Sequence, residues 1–148
     1  MNHVFQDLIL IENEQDVAVK QSNDVAHVTI PKQFNGKPVT AINNWAFAGS
    51  IKLESVVIPD TVTTIYGNAF AGCMSLKQVI IPKSVCKIDP VVFAGCENIT
   101  IYCEAESKPE NWSAIWNSWE RPVYWYSENE PKNSGNFWHY VNGAPKKW

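Results

Sequence analysis

The sequence predicts a solenoid of about four coils, built mostly of short β-strands, because one residue pattern recurs at a fixed interval. Three phenylalanines, Phe47, Phe70 and Phe93, are 23 residues apart, and each stands in a phrase of small residues ending in Gly. Other apolar positions keep the same period: Val39, Val62 and Val85; Ile42, Ile65 and Ile88; Leu53, Leu76 and Ile99. Such a period is typical of chains in which each repeat packs mainly against its neighbours.

Composition excludes several classes of function. The 148 residues contain 12 basic and 15 acidic side chains, a formal charge of −3, without a block of like charges. We therefore expect no binding to nucleic acid. No apolar run approaches the ~18 residues of a membrane span, so we expect no membrane insertion. The longest apolar run near the start, Leu8–Ile11, is too short for a secretory leader, and this slightly favours the cytoplasm.

The cysteines and histidines do not predict a metal site or a cofactor. No Cys-x-x-Cys pair exists, and the three histidines are scattered along the chain. Cys73 and Cys96 occupy the same repeat position, which would put them on adjacent coils. Two alternatives follow for this pair: a disulfide between coils, or small apolar thiols packed inside each coil.

Residues 1–24 are predicted to form an N-terminal cap. Val4–Ile11 and Val17–Val19 are two apolar strand candidates joined by the polar residues 12–16. A hairpin of these strands would cover the otherwise open end of the first coil.

Residues 25–104 are predicted to hold the repeats. Each begins with a short strand that ends at a proline, as at Pro31, Pro59 and Pro82. The first repeat is five residues longer than the others, around Gln33–Pro38, and this insert is expected to protrude as a loop. The last strand, Ile99–Cys103, is one residue short, which keeps its alternate residues inward and turns Tyr102 outward.

Residues 105–126 are predicted to form a C-terminal cap of one helix and one strand. Ser107 fits a helix N-cap, with Pro109 in the first turn. One helical face would then present Trp112, Ile115, Trp116 and Trp119 to the last coil. The strand is predicted at Val123–Tyr126. Residues 127–148 are predicted to form an aromatic hairpin that turns at Asn142-Gly143.

The strand, proline and Ala-Phe-x-Gly-Cys unit resembles the BspA-type (Treponema-like) bacterial leucine-rich repeat, over residues 25 to 103. The resemblance implies a curved leucine-rich-repeat solenoid with parallel strands on a concave face. It also implies protein recognition or adhesion, often at a bacterial surface or after secretion, and no catalytic residues. In keeping with this, the sequence contains no phosphate-binding loop and neither a His-Glu-x-x-His nor a Gly-x-Ser-x-Gly motif.

Eight outward-pointing strand residues are the predicted contacts with a protein partner, and we call them the strand face. They are His27, Thr29, Ser55, Val57, Gln78, Ile80, Thr100 and Tyr102. Stacked coil on coil, Thr29, Val57, Ile80 and Tyr102 would form a column more apolar than an exposed sheet requires. Two alternatives follow: the column is open to a partner, or the C-terminal tail covers it.

The aromatic tail favours a different hypothesis, binding of a carbohydrate of a cell wall or a host surface. Its candidate residues are Trp138, Tyr140 and Trp148, in a hairpin faintly similar to those of choline- or glucan-binding repeats. Such modules usually work in tandem arrays, and only one copy is present here.

Overall fold

The computed structural model describes residues 1–148 and consists of strands and turns, without an α-helix. Its strands are β1 (Asn2–Phe5), β2 (Leu8–Glu12), β3 (Val17–Ser22), β4 (His27–Thr29), β5 (Gln33–Phe34), β6 (Lys37–Ile42), β7 (Ser55–Val57), β8 (Thr64–Ile65), β9 (Gln78–Ile81), β10 (Lys87–Ile88), β11 (Thr100–Cys103), β12 (Val123–Tyr126), β13 (Phe137–Val141) and β14 (Ala144–Lys147).

The coils stack so that their strands form two parallel columns. One column runs through β3, β6, β8 and β10, and a bridge from Ile88 to Trp112 extends it by one coil. The other column contains β4 and β7, then β9, β11 and β12. The solenoid predicted from the period is confirmed, but it has about five turns where the sequence predicts about four.

A stack of phenylalanine rings forms the third side of each coil. The rings of Phe47 and Phe70 have centroids 4.9 Å apart and planes within 9° of parallel, and those of Phe70 and Phe93 are 5.5 Å apart and within 12°. All three side chains are fully buried in one core with the other periodic apolar residues. Identical rings at a fixed interval can pack this way only when each coil repeats the path of the last.

Close approach of the backbone fixes the corner after each phenylalanine. Gly72 and Gly95 have left-handed φ angles of 73° and 77°, and a Cβ on Gly95 would lie 3.3 Å from the backbone of Gly72. In the next position, the thiols of Cys73 and Cys96 donate hydrogen bonds of 3.1 and 3.0 Å to carbonyls of the preceding coil. Both cysteines are free and buried, so of the two alternatives for this pair the structure contains the packed thiols.

The predicted helix after Ser107 is wrong. Residues 107–121 form successive turns that continue the solenoid, and Ile115 and Trp119 are about half exposed instead of sharing a buried face with Trp112 and Trp116. Backbone bonds to the preceding coil, from Ser113 to Ile88 and from Val91 to Ile115, hold the segment in the path of a coil. Those bonds replace the local hydrogen bonds that a helix would need.

The N-terminal residues form three antiparallel strands, β1, β2 and β3, and the last of them pairs with β6 in parallel. The insert predicted to protrude is instead the hairpin of β5 and β6, which packs on these strands. Phe34 contacts the rings of His3 and Phe5, and Lys37 forms an ion pair of 2.7 Å with Glu12. The insert lies flat because it carries one apolar and one basic side chain that match this surface.

Candidate functional site

The strand face is assembled by parallel pairing. Thr29 stands beside Val57, and Ile80 stands beside Tyr102, in register. His27 and Ser55 are also paired, and their side chains share a hydrogen bond of 2.7 Å. The first coils present the most open part of this face: His27, Thr29, Val57 and Gln78 are exposed, and Ser55, Ile80 and Thr100 are half-buried.

Tyr102 corrects the prediction of an exposed column, because its side chain is only 7 % exposed. Its ring lies 5.2 Å from that of Trp138 and 5.7 Å from that of Tyr124, measured between centroids. The indole N–H of Trp138 donates a hydrogen bond of 2.8 Å to the carbonyl of Cys103. The tail therefore covers the last part of the strand face and leaves the first part open.

An aromatic cluster that the sequence analysis did not assign to the site borders the strand face. It comprises Tyr124, Tyr126, Trp138 and Tyr140, and the last three contact one another in pairs. These residues alternate along β12 and β13, which pair in parallel with Tyr126 beside Trp138. The period of two in the residues 124–126 and 138–140 is the pattern that could have placed them on one face.

A groove of about 400 Å³ lies across the strand face where its sheet is interrupted, between β7 and β9. Val57, which is 56 % exposed, and Ile80 contribute apolar side chains to it. At one end Lys32 and Asp60 form an exposed ion pair of 3.3 Å. At the other end stands Glu104, next to the tail.

The carboxylate of Glu104 is held in place by donors from two elements. One oxygen accepts a hydrogen bond of 3.1 Å from the backbone N–H of Lys83, and the other accepts one of 2.7 Å from the hydroxyl of Tyr140. Burial, followed by the hydrogen bond to Glu104, raises the pKa of Tyr140 above its ordinary value. The phenol therefore stays protonated and donates to the carboxylate across the physiological pH range.

Two further cavities continue past Glu104. The first, of about 380 Å³, shares Glu104 and Tyr140 with the groove and adds Glu106, Tyr126 and Glu128. The second, of about 440 Å³, shares those three added residues and extends into the loop between β12 and β13. The surface therefore changes from apolar to acidic as it leaves the open strands.

The three tail residues proposed for carbohydrate binding differ in accessibility. Trp138 is fully buried, so its ring cannot stack on a sugar, which corrects its place in that set. Tyr140 is 39 % exposed and Trp148 is 45 % exposed. The indole of Trp148 stacks on His139, with ring centroids 3.8 Å apart, and its N–H donates a hydrogen bond to the carbonyl of Ser127.

The chain offers no group of three or more His, Cys, Asp or Glu side chains arranged to hold a metal ion. None of its helices could cross a bilayer, since none is long and apolar enough.

A family model for the BspA type leucine rich repeat region matches residues 15–109 in six copies. The chain is similar to a leucine rich cell surface protein from Faecalibacterium prausnitzii, with 32 % identity and a TM-score of 0.61, over 68 % of this chain and 30 % of that one. Its fold is also similar to that of a leucine-rich repeat protein from Bacteroides capillosus, with 22 % identity and a TM-score of 0.50, over 70 % of this chain and 99 % of that one. No curated protein matches. The chain thus spans less than a third of the length of the F. prausnitzii protein.

Proposed function

Because the chain belongs to the BspA-type leucine-rich repeat family, we propose that it is a non-enzymatic module that binds a protein partner through the open part of the strand face. Repeats of this family commonly mediate protein interaction or adhesion, and repeat proteins use the extended surface made by stacked coils for binding. The proposal extends to a location at the cell surface, since the F. prausnitzii relative is described as a cell surface protein.

The observation that supports this site best is the exposed apolar side chain of Val57 beside Ile80 in the groove. Strand residues that face solvent cost little when polar, so an apolar pair at the centre of a face, with polar neighbours such as His27 and Gln78, is typical of an interaction surface. Residues of this kind become the buried centre of an interface, where most of the binding free energy is concentrated.

The test is direct binding by a partner captured from the source cells. The captured protein is purified, and its affinity is measured for the wild type and for the double variant Val57→Ser/Ile80→Ser. We expect at least about tenfold weaker binding by the double variant, since two truncated contacts at an interface centre cost more than about 1.4 kcal/mol together.

The matched control is Thr64→Ala/Lys87→Ala, which changes two residues in the other column of strands. It should bind as the wild type does. Equal affinity of the wild type and the Val57/Ile80 variant, with both variants folded, would contradict the proposal.

Carbohydrate binding by the tail is the alternative function, and the half-exposed ring of Trp148 favours it. An aromatic ring with one face packed and one face open is a suitable platform for a sugar. Trp148→Ala should then abolish binding to purified cell-wall polysaccharide, whereas the Val57/Ile80 variant should retain it. The opposite pattern, with a protein partner, supports the strand face.

A further inference from the structure

The three cavities at the strand face join into one path across the coils. The groove beside Val57 and Ile80 meets the second cavity at Glu104 and Tyr140, and the second meets the third at Glu106, Tyr126 and Glu128. The path follows the C-terminal ends of the strands, from Lys32 behind β4 to the loop behind β12. A segment lying in it would run perpendicular to the strands.

The length of this path limits what can occupy it. It passes the ends of five strands, β4, β7, β9, β11 and β12. At about 4.8 Å per strand, four intervals span roughly 19 Å, and an extended chain that rises about 3.3 Å per residue covers this with about six residues. The path therefore fits one short extended peptide segment.

The two ends of the path differ in charge. At the open end, Lys32 and Asp60 pair with each other, so their charges largely cancel. At the covered end, Glu104, Glu106 and Glu128 face only one cation, Lys83, and none of the three carboxylates forms an ion pair. Their potential is left uncompensated within the chain, and a partner with the opposite charge would be steered to this end.

Aromatic rings add a second kind of complementarity at the acidic end. Tyr126 and Tyr140 line the same cavity as the three carboxylates. The aliphatic stems and the charged heads of Lys and Arg both pack favourably on tyrosine rings. The chain itself contains such a contact on the same aromatic cluster, since Nζ of Lys147 lies 4.7 Å from the ring centroid of Tyr124.

We propose that the partner binds through an extended segment of about six residues, with an apolar side chain on Val57 and Ile80 and a Lys or Arg between Tyr126, Tyr140 and the carboxylates of Glu106 and Glu128. This inference rests on the proposed function and specifies the chemistry of the partner. Neither end alone defines the site: the apolar contact fixes the position of the segment, and the acidic end fixes its direction and charge.

The test uses random heptapeptides displayed on phage, selected against the wild-type protein. Selected peptides are synthesised, and their affinities are measured at about 50 and about 300 mM salt, where exposed charges are screened to different degrees. We expect the selected sequences to carry Lys or Arg toward one end and an apolar residue toward the other. We also expect their binding to weaken at the higher salt concentration.

Two double variants of equal charge identify the site. Glu106→Gln/Glu128→Gln should weaken the selected peptides by about tenfold, as the loss of two partly exposed charge contacts would. Glu110→Gln/Glu120→Gln changes two exposed glutamates that line none of the joined cavities, and it should leave the affinity unchanged.

The outcomes separate this inference from the proposed function. Peptides that need Val57 but are neutral or acidic, or that bind the Glu106/Glu128 variant as well as the wild type, would overturn the partner chemistry and leave the strand face as the binding site. Failure to select any peptide that depends on Val57 would overturn the linear segment, while the captured partner still tests the face. Loss of that partner's dependence on Val57 and Ile80 would overturn both.

Discussion

The rings of Phe93 and Trp116 meet at 76°, with centroids 6.3 Å apart, so that Trp116 closes the stack begun by the three phenylalanines. Trp116 is 23 residues beyond Phe93 and is only 5 % exposed. It therefore takes the place that a fourth phenylalanine would have in the next coil.

Trp116→Ala should lower the free energy of unfolding by about 3–5 kcal/mol, because it leaves a cavity against Phe93. Chemical denaturation measures the change. Trp119→Ala is the control: this ring is 48 % exposed, and its removal should cost less than about 1 kcal/mol. Equal effects of the two variants would mean that Trp116 is not part of the stack.

Phe70→Ala should cost about 3–5 kcal/mol of unfolding free energy, since its ring is buried between two others. Met74→Ala, at an exposed position of the same coil, serves as its control. A loss below about 1 kcal/mol for Phe70→Ala would contradict the packing of the phenylalanine stack in the core.

Gly95→Ala should destabilise more than Gly49→Ala. Both residues have left-handed φ angles, so each substitution costs about 1–2 kcal/mol of backbone strain. An added Cβ meets the backbone of Gly72 at 3.3 Å in the first case and nothing within 4 Å in the second. Thermal unfolding compares the variants, and equal midpoints would show that the coils can separate at this corner without cost.

Tyr102→Ala should lower the free energy of unfolding by about 2–4 kcal/mol, because the ring is buried against Trp138 and Tyr124. Val57→Ala, at an exposed position of the same face, should change it by less than about 1 kcal/mol. Denaturant titration of both variants measures this difference. If Tyr102→Ala is as mild as Val57→Ala, the tail does not cover the last part of the strand face in solution.

Acidification should loosen the contact between the β5–β6 hairpin and the N-terminal strands. Hydrogen bonds from Lys37 and then Asn35 hold the pKa of Glu12 below its ordinary value of 4.5. A lowered pKa in the folded state contributes stability above the ordinary value, and this is lost as the pH falls through the folded pKa. Lys37→Gln should raise the pKa of Glu12, as measured by NMR titration, and should reduce the loss of stability between about pH 5 and pH 3. An unchanged pKa in this variant would show that Lys37 does not pair with Glu12.

The coils could be predicted because every inward position recurs, so that one reading of Val62, Ile65 and Phe70 applies to each neighbour. The helix after Ser107 was predicted wrongly because Trp112 and Trp116 are four residues apart, which fits both a helical face and a slightly shortened coil. The interval of 23 residues from Phe93 to Trp116 is the feature that distinguishes the two.

The burial of Tyr102 could not be predicted from its own strand, whose alternation correctly turns it outward. It depends on where Trp138 packs, 35 residues beyond Cys103, to whose carbonyl the indole is bonded. Contacts made by a non-repeating segment follow no period, so the extent of the open face becomes apparent only from the folded chain.

The stack of identical rings has a consequence for how such a chain can change in length. The coil of Phe70 offers the same ring, the same glycine corner and the same thiol bond to the coil before it as the coil of Phe93 does. A duplicated copy of residues 60–82 would thus find its neighbours already shaped to receive it, whereas a duplicated cap would not. Gain or loss of whole coils changes the reach of the binding face in steps of one strand while both ends stay as they are.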